Sequence, residues 1–276
     1  MADIIPFRLK LTGDTADQHQ FQGYDGYMAL AGFAWTLALI ANYTETGKIR
    51  QRGEFPGRDA VRASAPSEGS IIADFTVWLQ QNPAEVLGLT GAGIGAAGSA
   101  LLYDVVRRVI DRNLGQNERS GGPLLDQLVR RRAGDIEALV AKVEPAIRQT
   151  HAVIGNGATR MQIIGGHNII NTYDEGTRDY VRLNVLDEKE KERDFSVSAF
   201  NVNSGYGSVF DNDLKRNVPI SMSREVLRNV SSVFTWGLDQ YANKTGGRVT
   251  IRYTRILAMD DTPKRYIVLS AKRMRK

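Results

Sequence analysis

Two long stretches of this chain carry no charged residue: Gly26 to Thr44, 19 residues, and Val86 to Tyr103, 18 residues. A solvated helix needs a polar face and a half-wet strand alternates, so such runs must be buried on most sides, in a core, an assembly or a bilayer. The first run, with Met28, Leu30, Phe33, Trp35, Leu37, Leu39 and Ile40, is too long for a strand and predicts a buried helix. The second holds glycines at 88, 91, 93, 95 and 98 and leads into Leu101, Leu102, Val105, Val106, Val109 and Ile110. That is a helical stripe, opposite Arg107, Arg108 and Arg112.

Elsewhere the period changes. Phe7, Leu9 and Leu11 alternate with Arg8 and Lys10, which predicts a strand over 4–12. Residues 60–65 and 70–79 flank Pro66-Ser67-Glu68-Gly69 and read as a hairpin. Leu124, Leu125, Leu128, Ile136, Leu139, Val140, Val143 and Ile147 mark a further helical region with a break expected at Gly134. Every residue from Asp187 to Asp194 is charged, the pattern of a solvated turn or helix end, and this run is taken as the approximate domain boundary. Beyond it come strands at 195–202, 206–210 and 218–222, a helix over 223–243 capped by Ser223, and strands at 248–259 and 264–272. The β-β-β-α-β-β order predicts a small closed barrel, since closure removes the exposed edges of short strands. The expected fold class is α+β. Residues 1–153 form an α+β domain with long apolar helices, 154–193 a connecting segment, and 194–276 a small OB-like five-stranded barrel with one helix.

The absence of cysteine rules out disulfides, thiolate metal sites and cysteine nucleophiles. The first residues lack the basic and apolar regions of a signal peptide, so a cytoplasmic location is expected. Gly93-Ile94-Gly95-Ala96-Ala97-Gly98 fits a dinucleotide fingerprint, but the strand with Asp or Glu due about 20 residues later does not follow. The same segment offers Gly91, Gly95 and Ser99 as a small-residue ridge for close helix packing within an oligomer or core. Asp14, Asp17 and His19 share one polar loop without a recognised ligand spacing, so no metal, cofactor or catalytic residue is expected.

Charge is the more informative signal. Residues 1–153 carry 16 Lys+Arg against 17 Asp+Glu, whereas residues 196–276 carry 14 against 6, a net +8. Arg248, Arg252 and Arg255 lie along one expected strand, Lys264 and Arg265 open its partner, and Lys272, Arg273, Arg275 and Lys276 end the chain, with Tyr206, Tyr253 and Tyr266 among them. Barrels of this type bind single strands by stacking bases on aromatics beside a basic groove. The alternative is that the tyrosines fill the interior and the charges only solvate it.

Gly13, Ala16-Asp17-Gln18-His19 before an apolar helix, Gly69-Ser70-Ile71 opening a strand, and Gly207-Ser208-Val209-Phe210 through Val268 give the chain a resemblance. It resembles uncharacterised bacterial two-domain proteins with an N-terminal α/β domain and a C-terminal five-stranded barrel. The resemblance covers most of the chain and carries no catalytic residues. Some proteins of this kind are associated with mobile elements or phage defence.

Together these readings predict a non-enzymatic binding or assembly protein. It would self-associate through its N-terminal domain and contact nucleic acid or another polyanion through its barrel. A membrane-active effector using residues 86–110, and an enzyme on the Asp14 loop or the glycine segment, are the alternatives.

Overall fold

Ile5, Phe7, Leu9 and Leu11 alternate along β1 (Asp3–Thr12) and are buried, while Ile4, Pro6 and Arg8 between them are exposed, as the period requires. The computed structural model describes residues 3–49, 59–64, 71–89, 94–116, 119–258 and 261–274. The chain divides into two compact units, Met1–Arg130 with Lys142–Arg182, and Arg131–Ala141 with Leu183–Lys276.

In the first unit β1 is the middle strand of an antiparallel sheet. Its order is β2-β3-β1-β4-β5, with β2 Val61–Ala63, β3 Ile72–Leu79, β4 Arg160–Gly165 and β5 Asn168–Tyr173. β2 and β3 are the expected hairpin arms; the turn at 66–69 lies outside the described residues. The charge-free run 26–44 lies within α1 (Gly23–Thr46), which Gly47 ends in the left-handed conformation, its N–H donating to the Tyr43 carbonyl. On the inner face of the sheet, Phe33 of α1 meets Phe7 and Phe75 edge-on at 6.4 and 5.2 Å. After α2 (Pro83–Val86) comes α3 (Ile94–Asn113), whose stripe Leu101, Leu102, Val105, Val106, Val109 and Ile110 is buried. Among the described residues no helix is long and apolar enough to cross a membrane. The dinucleotide reading fails, because this sheet is antiparallel and the element before α3 is a helix.

Residues 154–193, expected as a connecting segment, instead hold β4, β5, α5 (Glu175–Arg182) and the start of a barrel strand. The helical region after 122 is one element, α4 (Pro123–Thr150). Its break falls at Arg132, with φ −134° and ψ 37°, not at Gly134. Gly134 marks a close approach: a Cβ there would lie 2.4 Å from the Phe200 carbonyl oxygen, and the Asn201 amide donates to Asp135 at 2.9 Å.

His151, just after α4, is fully buried and stacks on Tyr173 at 4.0 Å. Its Nδ1–H donates to the Ile147 carbonyl at 2.8 Å. Burial pushes the imidazole down to about 4. A group whose folded pKa is depressed resists protonation in the folded state, while the unfolded chain takes up the proton near 6.5. Stability is therefore complete above pH 6.5 and falls by about 3 kcal/mol as pH drops toward 4. Urea unfolding at pH 7 and pH 4.5 measures this loss, and His151→Phe, which keeps the stack, should lack it.

The second unit is the barrel. Its strands are β6 (Val185–Phe200), β7 (Gly207–Asp211), β8 (Arg216–Met222), β9 (Val249–Leu257) and β10 (Pro263–Arg273), closed in the order β10-β8-β7-β6-β9. β10 runs parallel to β8 and the other pairs are antiparallel. With α6 (Arg224–Ala242) between the third and fourth strands, this is the expected OB-like arrangement. The Ser223 hydroxyl caps α6 by accepting the Val226 N–H at 3.2 Å. Phe195, Val197, Val209, Val218, Ile220, Val249, Ile251 and Val268 fill the interior, and Val230 and Phe234 of α6 pack on them. The charged run 187–194 is not a turn or a helix end. It is the first half of β6, paired to β9 with a register shift between Asp187 and Lys191, so it lies inside the barrel unit.

Candidate nucleic-acid interface

Closure makes β6 and β9 neighbours, although more than 50 residues separate them, and this decides the fate of the expected basic face. Arg255 pairs with Asp187 at 2.5 Å, Arg252 with Glu190 at 3.5 Å, and Lys272 of β10 with Glu192 at 2.8 Å. The Arg255 hydrogen bond holds the Asp187 carboxyl below the usual range. Lys264 donates to Asn184 Oδ1 at 2.6 Å, and Arg265 lies over the Tyr206 ring at 5.9 Å. The acids just upstream of the +8 region thus answer these cations: Asp187 directly opposite Arg255 in the β6–β9 ladder, Glu190 off-register from Arg252, and Glu192 across the intervening β9 from Lys272.

Tyr253 must be corrected. Its ring is 1% exposed, packed on Phe195 and Tyr266 at 5.5 and 4.4 Å, and burial pushes its hydroxyl up. It fills the barrel and has no face on which a base could stack. Tyr266 is buried in the same way, its hydroxyl donating to Asp211 at 2.6 Å.

What remains at the surface lies where β9 begins and β10 ends. Arg248 and Arg273 are exposed, and no acid pairs with either among the described residues. The Met274 N–H donates to the Arg248 carbonyl at 3.0 Å, which ties the two strand ends together. Arg273 lies over the Trp236 ring of α6 at 5.1 Å, and Tyr241, near the end of the same helix, is 46% exposed. Gly247 sits against Gln240, which brings the β9 entry to this end of α6. Two unpaired guanidinium groups and two aromatic rings thus share one end of the barrel, with Arg275 and Lys276 outside the described residues. Such a set can hold phosphates and stack on bases.

Sequence reasoning missed Trp236 and Tyr241. Both lie in the segment it read as the 223–243 helix, and only the placement of β10 beside α6 shows that Trp236 meets a cation.

The other sequence candidates are dispersed. Gly91 lies outside the described residues, while Gly95 and Ser99 fall on α3. Asp14 and Asp17 belong to a short 3-10 turn, Asp14–Gln18, where the Asp17 carboxylate accepts the Gly13 N–H at 2.8 Å. No cluster of three or more His, Asp or Glu suited to a metal occurs among the described residues.

Comparison with known proteins divides the chain at nearly the same place as its structure. A family model described as "Domain of unknown function (DUF7946)" matches residues 7–182, and one described as "Family of unknown function (DUF7947)" matches residues 189–272. No curated protein and no solved structure matches the chain.

Proposed function

The chain belongs to the DUF7946 family through residues 7–182, and from that premise we propose a function read from its own side chains. The barrel is a non-enzymatic module that contacts single-stranded nucleic acid at the end formed by Arg248, Arg273, Trp236 and Tyr241. The observation that carries this reading is Arg273 over Trp236 with Arg248 at the adjoining strand end, neither arginine paired with an acid among the described residues, on a barrel of OB topology. Topology alone would not suffice, since one fold hosts many functions. A cytoplasmic setting accords with the absence of cysteine. Self-association through the N-terminal unit is the companion reading. It is supported by an exposed face of α1, where Tyr24 is 77% and Tyr27 67% exposed, and sedimentation of the full chain should give a species heavier than one chain.

Affinity for a labelled single-stranded oligonucleotide at low salt tests the barrel reading. The Arg248→Ala/Arg273→Ala double variant and Trp236→Ala should each bind more weakly, the latter by about 1–3 kcal/mol as one stacked base is lost. Arg252→Ala/Arg255→Ala removes cations already engaged by Glu190 and Asp187 and should bind like the parent chain. If the control loses affinity and the other variants keep it, the interface lies elsewhere on the barrel.

A further inference from the structure

Among the described residues, helices cover one face of the N-terminal sheet and leave the other open. Along β1, β3 and β4 the inward residues are buried, whereas those of opposite parity, Arg8, Lys10 and Thr12, Ile72, Asp74, Thr76 and Trp78, Arg160, Gln162 and Ile164, are all exposed or partly exposed. Arg62 of β2 joins them, since it pairs in register with Thr76 and lies over the Trp78 ring at 5.0 Å. Among the described residues this open face therefore carries Arg62, Arg8, Lys10 and Arg160 against one acid, Asp74. Asp74 is engaged by Arg8 at 2.7 Å. No acid among the described residues pairs with Arg62, Lys10 or Arg160.

The register sets the spacing. Lys10 is opposite Ile72 and Gln162, and Arg160 is opposite Thr12, so Arg160 sits diagonal to Lys10 across neighbouring strands. Arg8 and Lys10 are two residues apart on β1, about 7 Å along the strand. A cleft of ≈ 570 Å³ lined by Thr12, Gly13, Arg160, Asp174 and Glu175 bounds the face at this end, and its two carboxylates would turn an anionic chain back along the strands.

We propose that this open sheet face is a second surface for single-stranded nucleic acid, with Lys10, Arg160 and Arg62 holding phosphates and Trp78 offering an aromatic ring to a base. Charge complementarity identifies the occupant. The cations stand in rows at strand spacing, between hydroxyl and amide side chains (Thr12, Thr76, Gln162) that can bond bases or sugars. An open sheet face bearing an aromatic and surrounded by cations is a recognised platform for splayed bases. The proposal concerns a different unit from the barrel interface and does not depend on it.

The test uses the full chain with a photoreactive single-stranded RNA or DNA oligonucleotide, reading both affinity and the peptide that crosslinks. Crosslinks should fall on residues 71–79 and persist in Arg248→Ala/Arg273→Ala. Lys10→Gln/Arg62→Gln/Arg160→Gln should lose them and bind about 100-fold more weakly at 0.1 M salt, three phosphate contacts at about 0.7 logarithmic units each. The substituted side chains are solvent-facing, so an unchanged thermal transition separates lost binding from lost folding. Loss of all crosslinking in the barrel variant, with none on 71–79 in the parent chain, would overturn this inference and leave the barrel reading intact. Crosslinks on 71–79 with the barrel variant unimpaired would do the reverse. Adsorption to phosphatidylserine vesicles without any nucleic-acid binding would assign the face to a lipid surface and also overturn it.

Discussion

Replacing Asp211 with alanine should cost the barrel about 3–5 kcal/mol, the loss typical of removing one partner from a buried charged network. Asp211 is fully buried. Its Oδ2 accepts from the Tyr266 hydroxyl at 2.6 Å and from Arg193 at 3.2 Å, and its Oδ1 accepts the Asp213 and Leu214 N–H groups at 2.9 and 3.2 Å. Burial opposes its charge, but the hydrogen bonds from Tyr266, Leu214 and Asp213 and the nearby Arg193 prevail and hold the carboxyl below the usual range. Alanine leaves the Tyr266 hydroxyl and the Arg193 guanidinium without that partner and releases the β7–β8 turn. Domains are stable by only about 5–15 kcal/mol, so a large share of the barrel's stability rests on this carboxylate. Asp211→Asn keeps an acceptor for the turn and should cost less. Urea unfolding followed by the Trp236 environment measures both, and a loss below about 1 kcal/mol for alanine would show that the network is dispensable.

The second large effect belongs to Gly32→Leu. A Cβ at Gly32 would lie 2.7 Å from the Ala146 carbonyl oxygen and 2.7 Å from the Thr150 nitrogen, backbone atoms of α4 that cannot turn aside. Overpacking a close contact costs about 1–3 kcal/mol, and a leucine against rigid backbone should reach or exceed the upper figure, with alanine nearer the lower. Thermal unfolding of the two variants measures the step. The charge-free runs implied close helix packing, but the small-residue ridge assigned to it was Gly91, Gly95 and Ser99. Among the described residues, α1 carries a helix crossing that demands glycine, at Gly32, a position that ridge did not include.

Gly32 shows where sequence reading stops. β1, β3, the 223–243 helix and the barrel order were legible because each follows a single local period or cap, such as Ile5 to Leu11 or Ser223. β4 and β5 were not, because glycines flank them and a register shift between Ile163 and Ile164 interrupts their alternation. The run 187–194 was misread because a strand of mixed charges has no apolar face; it holds its place through the cations opposite it. Those partners are identified only when the barrel closes and brings Arg255 to Asp187 and Arg252 to Glu190. Net charge indicated which half of the chain is basic. It could not separate the arginines already paired from Arg248 and Arg273, and it gave no sign that Tyr253 faces inward.

The salt dependence of binding tests the central claim most directly. Anisotropy of a labelled single-stranded oligonucleotide, titrated with the full chain at several salt concentrations, should give log K falling linearly with log salt by about 0.7 for each phosphate held. Arg248→Ala/Arg273→Ala should make that slope shallower by about 1.4, with circular dichroism unchanged. Absence of salt-sensitive binding at low ionic strength, or an identical slope in the double variant, would contradict the assignment of this end of the barrel to nucleic acid.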